Sequence, residues 1–173
     1  LLHGLLADYE YRLYEKSPEK LDEFLRSGSF DGLNVTIPYK QAVIPYLSGM
    51  SLRARHIGSV NTVVRRSDGT LYGDNTDAFG MQAALQSIHA PLEGQKVLVL
   101  GSGGTSLTAC YVVRQAGGTP VVISRNGENR YDHLERHADA TGLINATPVG
   151  MYPAVEACPV NLDCLPKLRF VMD

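Results

Sequence analysis

The sequence has no tryptophan, three cysteines, and no apolar run approaching the ~18 residues of a membrane-spanning helix. Cys110, Cys158 and Cys164 are odd in number and lack C-x-x-C spacing, which suggests neither a disulfide framework nor a zinc site, and they are expected as buried or free thiols. There is no basic surplus: 16 Lys and Arg face 18 Asp and Glu, for a net charge of −2. A nucleic-acid partner is therefore not expected. Leu1–Ala7 lacks the flanks of a signal peptide, so the expected location is the cytoplasm. The first residue is Leu, and Asp173 is the last residue of the strand-like RFVMD, so the chain reads as part of a longer product. What is present is an ordinary globular composition, 44% hydrophobic and 20% charged over 173 residues, enough for one domain or two small ones.

Taken in order, Leu1–Ala7 reads as a helix end and residues 9–15 (YEYRLYE) alternate like a half-buried strand. Ser17-Pro18 supplies an N-cap and a Pro at the first helical position, and Leu21, Phe24 and Leu25 form the stripe of a helix ending near Gly28. A strand is expected over 33–37 (LNVTI), stopped by Pro38, then a short helix carrying Ala42, Val43 and Leu47. Residues 59–66 and 70–74 flank Ser67-Asp68-Gly69 as a hairpin. Asp77 opens a helix with Phe79, Met81, Ala84, Leu85 and Ile88 at its apolar positions, and the turn-rich stretch 90–94 follows. Beyond Lys96 the pattern is strictly alternating: strand 97–100, helix 104–116, strand 120–124, a helical patch at 131–137, and strands 142–146 and 168–172. Such alternation implies a parallel sheet with right-handed crossovers, an α/β fold.

KVLVLGSGGTS, residues 96–106, is a strand running into a glycine turn and a helix start. That arrangement lets backbone N–H groups at the positive end of a helix dipole approach a pyrophosphate. A dinucleotide fold normally places a carboxylate about 20 residues further on, to bind the ribose hydroxyls. Here that strand ends in Ser124, Arg125 and Asn126, and a guanidinium fork suits a 2′-phosphate, which favours NADP over NAD.

Two polar groups of residues lie in the first half. Lys40 follows the strand in NVTIPYK, and Asn61-Thr62 with Asn75-Thr76-Asp77 adds amides, hydroxyls and a carboxylate. A lysine beside a carbonyl can stabilise a developing alkoxide and deliver its proton, and an aspartate can hold that lysine. The same residue types also serve as a solvated loop lysine and a helix N-cap, and spacing alone leaves both readings open. His133 and His137, four apart in HLERH, read as a solvated face, since nothing nearby completes a metal site.

With these residues in view, the chain resembles the shikimate dehydrogenase family. GLNVTIPYK is similar to its Asn-Val-Thr-x-Pro-x-Lys segment, IGSVNTVV to Gly-Ala-Val-Asn-Thr, and GDNTDAFG to Gly-x-Asn-Thr-Asp-x-x-Gly. VLVLGSGGTS matches the family's glycine-rich loop, SRN its Asn-Arg-Thr/Ser, and INATPVGM its Asn-Ala-Thr-Pro-x-Gly-Met, all in order. The resemblance implies an N-terminal α/β substrate domain over 1–77, plus a Rossmann-like, doubly wound parallel-sheet NADP domain over 78–173, both truncated. It also implies reduction of 3-dehydroshikimate to shikimate with NADPH, in aromatic amino-acid biosynthesis. Lys40 and Asp77 become the catalytic pair, and Thr36, Asn61 and Asp77 hold substrate hydroxyls. Gly101, Ser102, Gly103, Gly104 and Thr105 lie under the pyrophosphate, Ser124, Arg125 and Asn126 around the adenosine phosphate, and Thr147, Pro148 and Met151 beside the nicotinamide.

The resemblance would put the family's Ser-x-Ser motif before Leu1 and its C-terminal substrate-binding Gln after Asp173, outside the sequence given. Ser106 stands at the third glycine-type position, where its side chain is expected to loosen helix packing, and Ser124 stands where Asn is usual. An NAD-dependent quinate/shikimate paralogue and a non-catalytic nucleotide-binding module stay open as alternatives. No metal is expected, and the assembly is read as a monomer or homodimer.

Overall fold

In a computed structural model the described residues are 10–173. Two compact units divide the chain, Leu1–Phe30 and Asp31–Asp173. In the first, a 3₁₀ turn at Pro18–Lys20 leads into α1 (Leu21–Ser27). Leu21 and Leu25 are its buried positions, and the Gly28 N–H closes it on Phe24 O. The strand expected over 9–15 does not form across residues 10–15, where Leu13 is 88% exposed. Period-two patterning gives a strand its faces, but a ladder needs a neighbouring strand, and none pairs here among the described residues. Leu1–Ala7 and Tyr9 lie outside the described residues.

The second unit contains two sheets. The first has strand order β1-β3-β4-β2, with β1 (Gly32–Asn34), β2 (Gly49–Met50), β3 (Thr62–Arg65) and β4 (Leu71–Asp74). β3 and β4 form the expected antiparallel hairpin, in register Val63↔Gly73. Gly69, at φ +82°, turns it, while Asp68 Oδ1 accepts from the Thr70 N–H at 2.9 Å. β1 is shorter than its apolar run suggests and ends at Asn34, ahead of Pro38, which has no N–H to donate.

The helix expected around Ala42–Leu47 is a series of turns with one 3₁₀ turn, Ile44–Tyr46. Pro45 accounts for this, because it has no N–H to donate to Gln41 O, so an α-helix cannot run through it and only the single turn forms. One helix was not expected: α2 (Leu52–Ile57), capped by Ser51 Oγ accepting from the Ala54 N–H and ended by Gly58 at φ +74°. Ser and Gly at those two ends are its signature.

The second sheet is wholly parallel, ordered β6-β5-β7-β8, with β5 (Lys96–Leu100), β6 (Thr119–Ile123), β7 (Gly142–Asn145) and β8 (Phe170–Met172). Helices α3 (Asp77–Ser87) and α4 (Gly104–Gln115) cover one face. Val97 and Val99 point into that layer with Met81, Leu85, Ala109 and Val113. Leu98 and Leu100 point the other way, toward Ile123, Leu134, Leu143 and Leu165. A central parallel strand is buried on both faces, which is why VLVL, residues 97–100, is a continuous apolar run rather than an alternating one. The C-terminal end of this strand delivers the chain to the glycine turn.

Candidate functional site

Lys40 and Asp77, 37 residues apart, are brought into direct contact: Nζ donates to Asp77 Oδ2 at 2.6 Å. The lysine side chain is only 13% exposed. Its main chain is pinned by the Val60 N–H, which donates to Lys40 O at 2.7 Å. Asp77 opens α3, where a carboxylate complements the helix dipole. Asn61 Nδ2 donates to Asp77 Oδ1 at 2.7 Å and to Thr76 Oγ1 at 3.0 Å, while Asn61 Oδ1 accepts from the Thr76 N–H at 2.8 Å. Asn61 therefore fixes the carboxylate from the side opposite Lys40. Thr36 lies exposed on the turn before Lys40, with its carbonyl accepting from the Tyr39 N–H at 2.8 Å.

Two further groups hold this centre in place. Asn75, fully buried, donates through Nδ2 to Ser59 O at 2.9 Å and to Thr108 Oγ1 on α4 at 3.1 Å. Its Oδ1 accepts from the Ala78 N–H at 3.2 Å, in the first turn of α3. Arg53 on α2 makes two bonds to Asp74, at 2.8 and 2.7 Å, and one from Nε to Asn75 O at 2.7 Å, with its guanidinium stacked 3.8 Å from the Phe79 ring centre. Burial alone would raise the Asp74 carboxyl. Hydrogen bonds from Ser51, the Asn75 N–H and Arg53 outweigh it and hold the group below the usual carboxylate range.

The glycines have separate jobs. Gly101 adopts φ +102°, and a Cβ there would meet Ala146 O at 3.0 Å and Thr147 Cγ2 at 3.1 Å. Nothing lies within 4 Å of a Cβ built on Gly103, at the mouth of α4. Gly104 is pressed against the lysine: a Cβ would fall 2.6 Å from Ser59 Oγ and 2.8 Å from Lys40 Cβ. An open glycine before a helix N-terminus, with Ser102 exposed beside it, suits a dinucleotide pyrophosphate. Ser106 is almost fully buried in α4 beside Cys110, so the helix accommodates it. Burial pushes the Cys110 thiol up, away from reactivity.

At the end of β6, Ser124 is buried and its N–H donates to Asn129 O at 3.0 Å, while Arg125 and Asn126 are exposed. The loop after β7 is organised by Asn145, whose Oδ1 accepts from Thr147 Oγ1 at 2.6 Å and whose Nδ2 donates to Val149 O at 3.0 Å. Thr147 thus sits against Gly101, while Pro148 and Met151 face solvent.

A family model for the shikimate dehydrogenase substrate binding domain matches residues 2–63. The NADP(+) shikimate dehydrogenase of Bacillus cereus is 34% identical over 98% of this chain and 69% of its own length. The chain belongs to the shikimate dehydrogenase family. Shikimate dehydrogenase 1 of Peptoclostridium difficile is 32% identical with a TM-score of 0.80, covering 93% of this chain and 62% of that one. The enzyme of Thermus thermophilus, solved in complex with NADP(H) and shikimate, is 34% identical with a TM-score of 0.72, covering 89% of this chain and 61% of that one. The chain therefore spans about two thirds of the length of the curated family members it matches.

Against this family frame, Lys40, Asp77, Asn61, Gly104 and Thr105 form one cluster, and Gly101 and Thr147 a second contact. Arg125 and Asn126 stand apart at the end of β6. Arg53 and Asn145 were not singled out from sequence, although Asn145 lies inside a quoted motif; Asn75 was named among the polar residues beside Asp77, without its bonds to Ser59 O and Thr108. A cavity of about 900 Å³ between α3 and α4, lined by Phe79, Gln82, His89 and Tyr111, contains none of the clustered side chains. Among the described residues no helix is long and apolar enough to cross a membrane, and no cluster of His, Cys, Asp and Glu could hold a metal.

Proposed function

We propose that the full-length protein carries out the NADPH-dependent, reversible reduction of 3-dehydroshikimate to shikimate. The observation that carries this reading is the Lys40–Asp77 contact at 2.6 Å, beside the start of the helix that follows the glycine turn. The dinucleotide, when bound, supplies a hydride to the ring carbonyl carbon. Lys40 holds a proton at Nζ for the carbonyl oxygen, and converting ketone to alcohol consumes one hydride and one proton. Asp77 keeps that ammonium oriented, and Asn61 keeps Asp77 from rotating. Thr36 and Asn61 are assigned to substrate hydroxyls. Gly101, Ser102, Gly103, Gly104 and Thr105 are assigned to the pyrophosphate, Ser124, Arg125 and Asn126 to the adenosine phosphate, and Thr147, Pro148 and Met151 to the nicotinamide side.

The division into a substrate domain to Asp77 and an NADP domain from Ala78, a cytoplasmic location, and a monomeric or homodimeric state belong to the same proposal. The test is turnover of the full-length enzyme with 3-dehydroshikimate and with dehydroquinate, using NADPH and NADH. Lys40→Ala is expected to abolish turnover and to leave NADPH binding intact, and retained turnover in that variant refutes the role. Arg125→Ala is expected to weaken NADPH but not NADH.

A further inference from the structure

Lys40 reaches two side chains. Besides Asp77 Oδ2 at 2.6 Å, its Nζ donates a long hydrogen bond, 3.4 Å, to Thr105 Oγ1 in the first turn of α4. From this we infer that Thr105 is a positioning residue for Lys40, in addition to any service its main chain gives a pyrophosphate; the inference rests on the proposed reductase activity.

Three observations support it. An ammonium has three donors and no acceptor, so a single bond to Asp77 leaves it free to rotate about that axis. A second acceptor fixes the axis and directs the third N–H. The lysine side chain is 13% exposed, which leaves little access for water to take the place of the threonine. Finally, Lys40 is clamped between two helix starts, Asp77 of α3 and Thr105 of α4, whose dipole ends are both positive and disfavour a cation. Asp77 answers the first with a full charge. At the second, the Thr105 oxygen is the one acceptor given to Nζ.

Gly104 permits this approach, since any side chain there would meet Lys40 Cβ at 2.8 Å. In Thr105, side chain and backbone divide the work: Oγ1 faces the proton donor, while the N–H remains at the helix mouth. The glycine turn and the proton donor are thereby joined through one residue, so the seating of α4 sets the direction of the ammonium.

The experiment uses the full-length enzyme with Thr105→Val, which keeps shape and backbone but removes the hydroxyl, and Thr105→Ser, which retains it. Thr105→Val is expected to lower kcat about two- to five-fold, the effect of losing one hydrogen bond at the weak end of the usual range. The solvent deuterium isotope effect on kcat should rise, because proton delivery becomes slower. Calorimetric NADP+ affinity should stay within about two-fold of wild type. Thr105→Ser should restore both kinetic readouts. Weakened NADP+ binding with unchanged kcat overturns the proposal and gives the hydroxyl to the dinucleotide. Unchanged kcat and unchanged affinity overturn it outright. A wild-type enzyme without turnover refutes the underlying activity, and the role falls with it.

Discussion

Ser59 is a residue whose chemistry and surroundings disagree. Its side chain is fully buried, and Oγ has no hydrogen-bond partner among the described residues, at a position where the family segment has alanine. A buried hydroxyl without a partner costs about 1–3 kcal/mol in desolvation. Ser59→Ala is therefore expected to raise unfolding stability by about 1 kcal/mol, read from urea denaturation midpoints at constant slope. Gly104 is the opposite case, since its missing side chain is what the packing requires. Gly104→Ala should push Ser59 and Lys40 away from the helix start, destabilise by about 1–3 kcal/mol, and lower turnover even where NADP+ still binds. Thermal melts, calorimetry and steady-state rates on one preparation check all three.

At the scale of elements, the loop from β4 to α3 is held by Arg53 reaching across from α2 to Asp74 and Asn75. The folded Asp74 pKa lies below its unfolded value, near ~3.9. Its contribution is thus complete above that value and is lost as pH falls through the folded pKa. Asp74→Asn is expected to flatten the acid limb of the stability curve below about pH 4, measured by denaturation across pH 3–7.

This element also marks what the sequence could convey. The hairpin, α3, α4 and the whole parallel sheet were legible because turn chemistry and apolar period agreed locally. α2 carried its two caps but too short a periodic stretch to stand out, and the run 42–47 had helical spacing that Pro45 overrode. For the site, the motifs identified Lys40 and Asp77 as candidates. The bonds of Asn75 to Thr108 and of Lys40 to Thr105 join residues 33 and 65 apart, which no local pattern encodes.

For the molecule as a whole, Asn75 is a strut within the unit Asp31–Asp173. It joins the sheet containing β4 to the helix α4 that packs on the parallel sheet, from a position sealed from solvent. Asn75→Ala leaves Ser59 O without this donor and should cost about 1–3 kcal/mol. Because the strut spans both layers, the loss should appear in hydrogen exchange at β3 and β4 and at α4 together. Protection lost in only one of them would show that the layers are coupled elsewhere.

The order of strands in the parallel sheet bears on how the chain is made. β5 sits between β6 and β7, yet it leaves the ribosome before either. At ~5–20 residues per second the wait for β6 lasts on the order of seconds. For that interval the newborn polypeptide carries Val97 to Leu100 with both strand edges unpaired and with the face formed by Leu98 and Leu100 uncovered, since every partner of that face lies later in the chain. During synthesis, the segment behind the glycine turn is therefore the one that most needs shielding.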